Sequence, residues 1–237
     1  MLLDIGVNEA RCIAVHGGNP IMNTFRCAPS GYADFVREFQ KNQNDVALTR
    51  WEDLVFAFHH VVHSGTTSDR VLCMLPSTGR VEQIDVKAVR FACGSLIGDD
   101  ANDMFHVNTD SLIHTLLDAL LACPIDLRKH VAQNVLVMGG GAMLPGICAR
   151  VEAGTVEQAS KISKFKSLIA CTKNGGLKVV KLPFRRDLLG WIGASVFATL
   201  DVLEGERWMT CNEDMDDQQT IPDTSYDWLN IKNSPLH

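Results

Sequence analysis

The stretch that most constrains the fold of this chain runs from residue 134 to residue 146 and reads NVLVMGGGAMLPG. Its apolar residues 135–138 predict a short buried strand bounded by turn residues. The glycines at 139–141 allow positive φ angles or a close approach of the backbone to a ligand. Pro145 stands where the first residue of a helix is expected, and ICARVEAG continues with helical spacing. The stretch therefore predicts a strand, a glycine turn and a helix.

A strand, glycine turn and helix in this order have two interpretations. The geometry directs backbone N–H groups and a helix N-terminus towards an anion such as phosphate. The alternative is a tight turn that binds no ligand, since glycine-rich turns are common in α/β folds. The spacing alone does not separate a phosphate cradle from a plain turn.

The composition limits the class of protein. The chain has 237 residues, of which 46% are hydrophobic and 21% charged, which is typical of one large or two small soluble domains. A net charge of −6 without a basic block argues against nucleic acid as an obligate partner. No apolar run approaches the roughly 20 residues that a membrane span needs. The eight scattered cysteines form no CxxC pair and indicate reduced thiols of a cytosolic or nuclear protein.

The chain before the glycine stretch predicts strands and helices in alternation. Residues 1–27 read as a β meander, and YADFVREFQKN after Gly31 reads as a helix with Phe35 and Phe39 on one face. A second helix is predicted near 48–63, followed by the strands VLCMLP and RVEQIDV. An acidic loop is predicted at 98–108, and Pro124 separates two further helices.

The chain after the glycine stretch predicts a helix at 147–160 and a surface excursion at 161–176. LKVVKLP reads as a strand, and residues 187–203 read as a largely apolar helix with glycines placed for close packing. The acidic tail that follows has low hydrophobicity, which is typical of an extended segment or one that folds on binding.

Three further patterns were weighed as sites of chemistry. Asp4 follows a strand, where its carboxylate would face a metal-bound phosphate, although a turn aspartate is the commoner explanation. His59 and His63 are four residues apart, but no acidic third ligand accompanies them, so a partner-facing helix is favoured over a metal site. No GxSxG or GxxxxGK[ST] motif occurs, which leaves hydrolase and P-loop chemistry unsupported.

Three blocks of the sequence resemble actin. CPIDLRKHVAQNVLVMGGGAMLPG resembles the actin segment C-x-x-D-x-R-K, helix, strand and GG-x-x-M-x-PG. LLGWIGASVFATL resembles the actin helix x-x-WIGGSI-x-ASL, and LLDIGVNEARCIAVHGG resembles the second phosphate loop, LD-x-GDG-x-T. The blocks have actin order and nearly actin spacing, and the chain is identified as a member of the actin superfamily.

The resemblance implies a partial actin-like α/β fold of the ribonuclease H-like ATPase type. Residues 1–27 would begin subdomain 3 with the second phosphate-loop hairpin, and 28–108 would form mainly subdomain 4 and the return to subdomain 3. Residues 109–185 would complete subdomain 3, and 186–237 would supply the C-terminal helices of subdomain 1 and a tail. The first phosphate loop and the helix with the water-activating Gln would precede Met1.

The resemblance also implies a nucleotide cleft for ATP or ADP, with the glycine turn opposite Asp4 across it. The residues that match the family's motifs, and are therefore the predicted vestigial binding residues, are Asp4, Gly6, Gly139, Gly140, Gly141 and Met143. No catalytic residue and no metal ligand is assigned.

Departures from the family pattern predict that the cleft has lost its chemistry. In the second phosphate loop Val7, Asn8 and Ala10 replace the family's Asp, Gly and Thr. In the glycine turn, Gly141 and Ala142 replace the family's Thr-Thr, and Leu144 replaces the aromatic that lies by the adenine. In the helix that contacts the nucleoside, Val55 and Phe56 replace the family's Lys-Glu pair. A lost polar contact costs about 1 kcal/mol and a charged one about 1.5–3 kcal/mol. Micromolar binding amounts to about 8 kcal/mol, so ATP hydrolysis is not expected.

An actin scaffold without ATPase chemistry predicts a structural subunit. CPIDLRK, the IPD near the end and the closing N-x-x-N-x-PL resemble the pointed-end actin-related subunits of dynactin. That resemblance implies a cytoplasmic, cytoskeletal protein that caps the actin-like filament of centractin and actin, joins the other pointed-end subunits and serves dynein on microtubules. Two alternatives stay open, a polymerising actin-like ATPase and a nuclear actin-related subunit of a chromatin-remodelling complex.

Overall fold

A computed structural model describes residues 1–42, 53, 69–97, 111–144, 146–170 and 176–200. The chain divides into two units, Met1–Ala194 and Ser195–His237, and the fold described here belongs to the first. Of the second unit, the structure describes residues 195–200, which form the end of a helix and a turn. The predictions for the helix near 48–63, the loop at 98–108 and the acidic tail lie outside the described residues, as do those for Val55, Phe56, His59 and His63.

The main sheet has four strands in the order β3-β2-β1-β6. The predicted meander is confirmed as β1 (Leu2–Ile5), β2 (Ala10–His16) and β3 (Asn19–Ala28), which are antiparallel neighbours. β6 (Leu136–Met138) follows much later in the chain and pairs in parallel with β1. A crossover of this kind, with helices between parallel neighbours, is characteristic of α/β architectures.

One face of the sheet is buried under helices. The alternation of buried residues along β1 and β2 places Leu3, Ile5 and Cys12 on this inner face. Helix α3 (Leu112–Ala122) packs against β2 and β3, and its apolar side chains are almost fully buried. The apolar sheet face and the apolar helix thus form one core, which is the main stabilising contact of the unit.

The other helices and the hairpin form a second packed group. Helix α1 (Tyr32–Asn42) has the predicted limits and packs against α2 (Val86–Ile97), with Phe35 and Phe39 both fully buried. The predicted hairpin is confirmed as β4 (Arg70–Met74) and β5 (Val81–Asp85). Its turn is held by the buried Asp53, which accepts hydrogen bonds from the backbone N–H (2.9 Å) and the hydroxyl of Ser77.

The first part of the segment after α5 (Ile147–Lys161) packs onto the core and is not the surface excursion predicted for 161–176, of which 171–175 lie outside the described residues. A 3-10 turn (Ser163–Phe165) and a short helix, α6 (Lys166–Ile169), bury Phe165 and Leu168. The ring of Phe165 lies edge-on to His114 of α3, with centroids 5.0 Å apart. The prediction was made from the lysines and glycines of 161–176, although Ile162, Phe165 and Leu168 recur every third residue, which is close to helical spacing.

The predicted strand LKVVKLP makes only a single bridge, which joins Val179 in parallel to Val135. On its other side the segment meets side chains of α5 instead of a strand. Glu152 Oε1 accepts the N–H of Val179 (2.7 Å), and Thr155 Oγ1 accepts the N–H of Leu177 (3.5 Å). These bonds satisfy backbone donors that would otherwise be exposed at a sheet edge.

The predicted apolar helix begins with a 3-10 turn (Arg186–Leu188) and continues as α7 (Leu189–Ala198). Gly190 approaches Met138, since a Cβ on this glycine would lie 3.5 Å from the Met138 Cε. Trp191 is 72% exposed and does not enter the core. α4 (Ile125–Ala132) completes the helices of the described residues, and none of these is long and apolar enough to cross a membrane.

Candidate functional site

The predicted cleft residues meet at one edge of the main sheet. β1 and β6 run parallel, and Asp4 pairs with Met138, so the carboxyl ends of the two strands are adjacent. In open α/β sheets this edge is where ligands bind. Asp4 and the glycine turn are therefore brought together as neighbours on one sheet edge, and they do not face each other across a cleft as was predicted.

Gly139 is required by its backbone conformation and by its surroundings. Its φ angle is +94°, a value that other residues rarely adopt. A Cβ at this position would lie 2.4 Å from the Asp4 Oδ1 and 2.5 Å from the Ile5 carbonyl oxygen. The backbone of the turn and the carboxylate of Asp4 are thus packed against each other.

The rest of the turn is a 3-10 helix (Gly140–Met143) that folds onto β1. Gly141 is buried, and a Cβ there would lie 2.3 Å from the Ile5 Cγ2. Gly140 is exposed, and an added Cβ would meet no atom within 4 Å. Met143 is half-buried. Gly139 and Gly141 therefore serve packing within the chain, and Gly140 is the glycine of this turn with space beside it.

The turn after β1 is closed by the start of α1. Gly6 N–H donates to the Glu9 carbonyl (3.0 Å), and a Cβ on Gly6 would lie 2.9 Å from that oxygen. The backbone N–H groups of Tyr32 and Ala33 donate to the carbonyls of Gly6 (3.0 Å) and Val7 (2.7 Å). The first donors of this helix, which are the groups that bind anions at helix N-termini, are used inside the chain.

The helix after the glycine turn has the start that the range 147–160 predicted. α5 begins at Ile147, and its N-cap residue Gly146 has a φ angle of +79°. The 3-10 helix and Leu144 stand between the strand and this helix, and Pro145 lies outside the described residues. The phosphate-cradle interpretation requires a helix N-terminus directly after the glycines, and the structure, in the residues that it describes, does not have one there.

Arg186 holds the glycine turn from the other side, and sequence reasoning did not identify it. Its guanidinium donates to the carbonyls of Val137 (2.8 Å) and Val180 (3.1 Å). Its own carbonyl accepts the N–H of Gly139 (3.2 Å). The adjacent Arg185 pairs instead with Asp187 on the surface, with an Nε–Oδ1 distance of 3.1 Å. No pattern distinguishes these two arginines in the sequence.

The charged side chains near the sheet edge form a small network. Burial raises the pKa of the Asp4 carboxyl, and the positive charge of Arg11 opposes part of this rise. Arg11 in turn donates from Nε to Glu9 Oε1 (2.6 Å), and the Cys27 thiol donates to Glu9 Oε2 (3.1 Å). These hydrogen bonds, that from Cys27 first, lower the pKa of Glu9. The charge of Arg11 is thus engaged by the carboxylate of Glu9.

The cysteines of the described residues are free thiols that differ in burial. Cys12, Cys73 and Cys123 are buried, and Cys27 is exposed. Burial raises the pKa of Cys12 to about 12, which leaves its thiol protonated and unreactive at neutral pH. Within the described ranges no group of three His, Cys, Asp or Glu side chains is placed to hold a metal ion.

The sequence was compared with known proteins. The family model "Actin" matches residues 74–217, which is more than half of the chain. "Putative actin-29" of Dictyostelium discoideum is 25% identical over 125 residues, covering 52% of this chain and 29% of that protein. "Actin-related protein 10" of the same organism is 31% identical over 88 residues, covering 35% of this chain and 18% of that protein.

The chain thus aligns with less than a third of the length of either relative. The family match agrees with the mixed α/β architecture, in which a β meander is joined by a parallel strand and covered by helices. The matched range contains two of the three sequence blocks, CPIDLRKHVAQNVLVMGGGAMLPG and LLGWIGASVFATL, and the block at residues 2–18 lies before it. The chain belongs to the actin family.

Proposed function

We propose that this protein is a non-enzymatic actin-related subunit of dynactin. In this role it would cap and scaffold the pointed end of the dynactin actin-like filament and support dynein-driven transport on microtubules. The proposal is supported by actin-family membership and by the likeness to a protein named actin-related protein 10. It also rests on the resemblance of CPIDLRK and the C-terminal pattern to the pointed-end subunit.

The non-enzymatic part of the proposal rests on one observation: the glycine turn makes its contacts with other residues of the chain. Gly139 gives its N–H to the Arg186 carbonyl, and Gly141 packs on Ile5. Gly140 alone keeps space beside it within the turn. Because the fold uses Gly139 and Gly141 in this way, less of the turn is left for a triphosphate, whose binding needs several charge-assisted hydrogen bonds.

The substitutions near the turn act in the same direction. Val7 and Asn8 stand where the family has a carboxylate and a glycine, and Val7 is 63% exposed. Ala142 and Leu144 are buried, and their side chains carry no hydrogen-bond donor or acceptor. The loss of these contacts supports the proposal of an actin-like scaffold without hydrolytic chemistry.

Affinity purification of the tagged protein from cells tests the proposed assembly. We expect centractin, the other pointed-end subunits and dynein-associated subunits to be recovered with it. An equally tagged conventional actin, purified in parallel, controls for general binding to cytoskeletal proteins. Recovery of helicase-type chromatin-remodelling ATPases without centractin would replace this proposal with the nuclear one, and phosphate release from ATP above background would support the polymerising ATPase.

A further inference from the structure

The contacts of Arg186 join three parts of the first unit that are distant in sequence. The parallel bridge at Val135 is closed by two hydrogen bonds, from Val135 N–H to the Lys178 carbonyl (2.9 Å) and from Val180 N–H to the Val135 carbonyl (2.8 Å). At the next position along the two segments, the carbonyls of Val137 and Val180 both accept from the Arg186 guanidinium. The guanidinium thus takes the place of the next backbone hydrogen bonds between the two segments. One of its nitrogens donates to each segment.

The same residue also fixes the glycine turn. Its carbonyl accepts the N–H of Gly139, the residue at which the chain leaves β6. Gly190, one turn further along, is placed against Met138 of β6. We define the Arg186 clasp as these three hydrogen bonds of Arg186, to Val137, Val180 and Gly139.

We propose that the Arg186 clasp couples the glycine turn to the first turn of α7, so that the two segments open and close together. The planar guanidinium suits this task because its fixed donors reach two carbonyls at once. Arg186 begins the 3-10 turn that leads into α7, so its bond to the Gly139 N–H ties the glycine turn to the start of this helix. A partner that holds or displaces the start of α7 would therefore change the conformation of the glycine turn.

The coupling is a statement about local opening, which amide hydrogen exchange measures. In the wild-type chain at low denaturant, we expect peptides covering residues 138–143 and 189–194 to exchange with the same opening free energy and the same denaturant dependence. Two different dependences would show that the segments open independently, and this result would overturn the proposal without any variant.

Substitution of the clasp provides the second arm of the test. Arg186→Ala removes the guanidinium bonds, and we expect exchange to accelerate by at least about tenfold in both peptides. Arg186→Lys keeps the charge and can reach one carbonyl, so we expect a smaller acceleration that is still shared by the two. Acceleration in one peptide alone contradicts the coupling.

Arg185→Ala is the matched control. Its guanidinium pairs on the surface with Asp187, which is next but one in the sequence, and touches neither β6 nor the glycine turn. We expect this variant to leave the exchange of both peptides within about twofold of wild type, as surface pairs contribute little. An equal effect of Arg185→Ala and Arg186→Ala would reduce the clasp to a general charge effect and overturn the proposal.

Discussion

At the scale of single residues, the glycines of the turn separate by what a side chain would meet. Gly139 has a positive φ angle and lies against the Asp4 carboxylate and the Ile5 carbonyl. Gly140 is exposed with open space beside it. The sequence predicted three interchangeable glycines, since the spacing GGG carries no information about which of them faces the neighbouring strand.

Gly139→Ala should destabilise the fold. The left-handed conformation alone costs an alanine about 1–3 kcal/mol, and the contacts under 3 Å add to this cost. Gly140→Ala is the matched control and should change the free energy of unfolding by less than about 1 kcal/mol in either direction. Urea denaturation of the two variants measures the difference. Equal effects of the two substitutions would show that the turn is not packed as described.

Asp4→Asn should stabilise the protein at neutral pH. Burial raises the pKa of Asp4, so the folded state favours the protonated carboxyl and stability is lost as the pH rises through this pKa. The amide resembles the protonated acid in shape and removes the penalty. The gain in thermal stability should shrink as the pH falls towards 3.8, the ordinary value for this group.

Asp187→Asn serves as the control with the opposite sign. Hydrogen bonding from Arg185 lowers the pKa of Asp187, so its ionised form stabilises the fold and this stability is lost as the pH falls. We expect Asp187→Asn to lower thermal stability at neutral pH, with the deficit shrinking in acid. If both variants shift the melting temperature in the same direction at every pH, the electrostatic explanation fails.

At the scale of elements, the limits of a long amphipathic helix were predicted correctly, whereas two short segments were not. α1 was predicted with its observed limits because Phe35 and Phe39 mark one face of an otherwise polar helix. The packing of the segment Ser163–Ile169 was missed because the contact of the buried Phe165 with His114 of α3 joins residues that are distant in the sequence. The strand predicted at LKVVKLP was overestimated, since α5 side chains take the place of a neighbouring strand.

The edge contact of α5 gives a prediction at this scale. Glu152→Ala removes the acceptor of the buried Val179 N–H, and we expect a loss of about 1–3 kcal/mol in the free energy of unfolding. Glu152→Gln keeps an acceptor oxygen and should recover most of this loss. Glu157→Ala, on the same helix, breaks only a surface pair with Lys161 and should cost less than about 1 kcal/mol.

Urea denaturation of the three α5 variants measures these differences. The account predicts that the alanine variant at 152 is the least stable and that the glutamine variant lies near wild type. A loss at position 157 as large as that at 152 would mean that the helix, and not the edge contact, carries the effect.

At the scale of the whole molecule, the family could be predicted from three blocks of sequence. The contacts that hold the glycine turn in the fold could not. The blocks are local strings, and the family match, which contains two of them, confirms the family that they indicated. The function of Arg186 depends on Val137 and Val180, which are 49 and 6 residues away in the chain. Contacts of this range follow from the fold, and a single sequence does not display them.

The described residues also carry large exposed apolar side chains. Ile125 is 73% exposed, Leu72 66%, and Met74 and Val81 61% each. Leu72, Met74 and Val81 stand on the outer face of the β4–β5 hairpin, with Met74 and Val81 directly paired. We expect the chain, purified alone, to bind a hydrophobic dye, since exposed apolar surface of this kind usually marks a contact with another protein.

Replacing the three hairpin residues by polar ones of similar size, as Leu72→Gln, Met74→Gln and Val81→Thr, should reduce the dye fluorescence without lowering the melting temperature. The reason is that these side chains contribute little to the core. An unchanged dye signal would place the exposed apolar surface elsewhere in the molecule.

The most direct test of the central claim, that the glycine turn serves the fold and not a nucleotide, is thermal unfolding with and without 1 mM Mg·ATP. A ligand present at a hundred times its dissociation constant stabilises by about 2.7 kcal/mol, which would raise the melting temperature of a chain of this size by about 5 °C or more. Conventional actin serves as the positive control. The account predicts no shift for this protein, and a shift of that size, saturating with ATP, would contradict it.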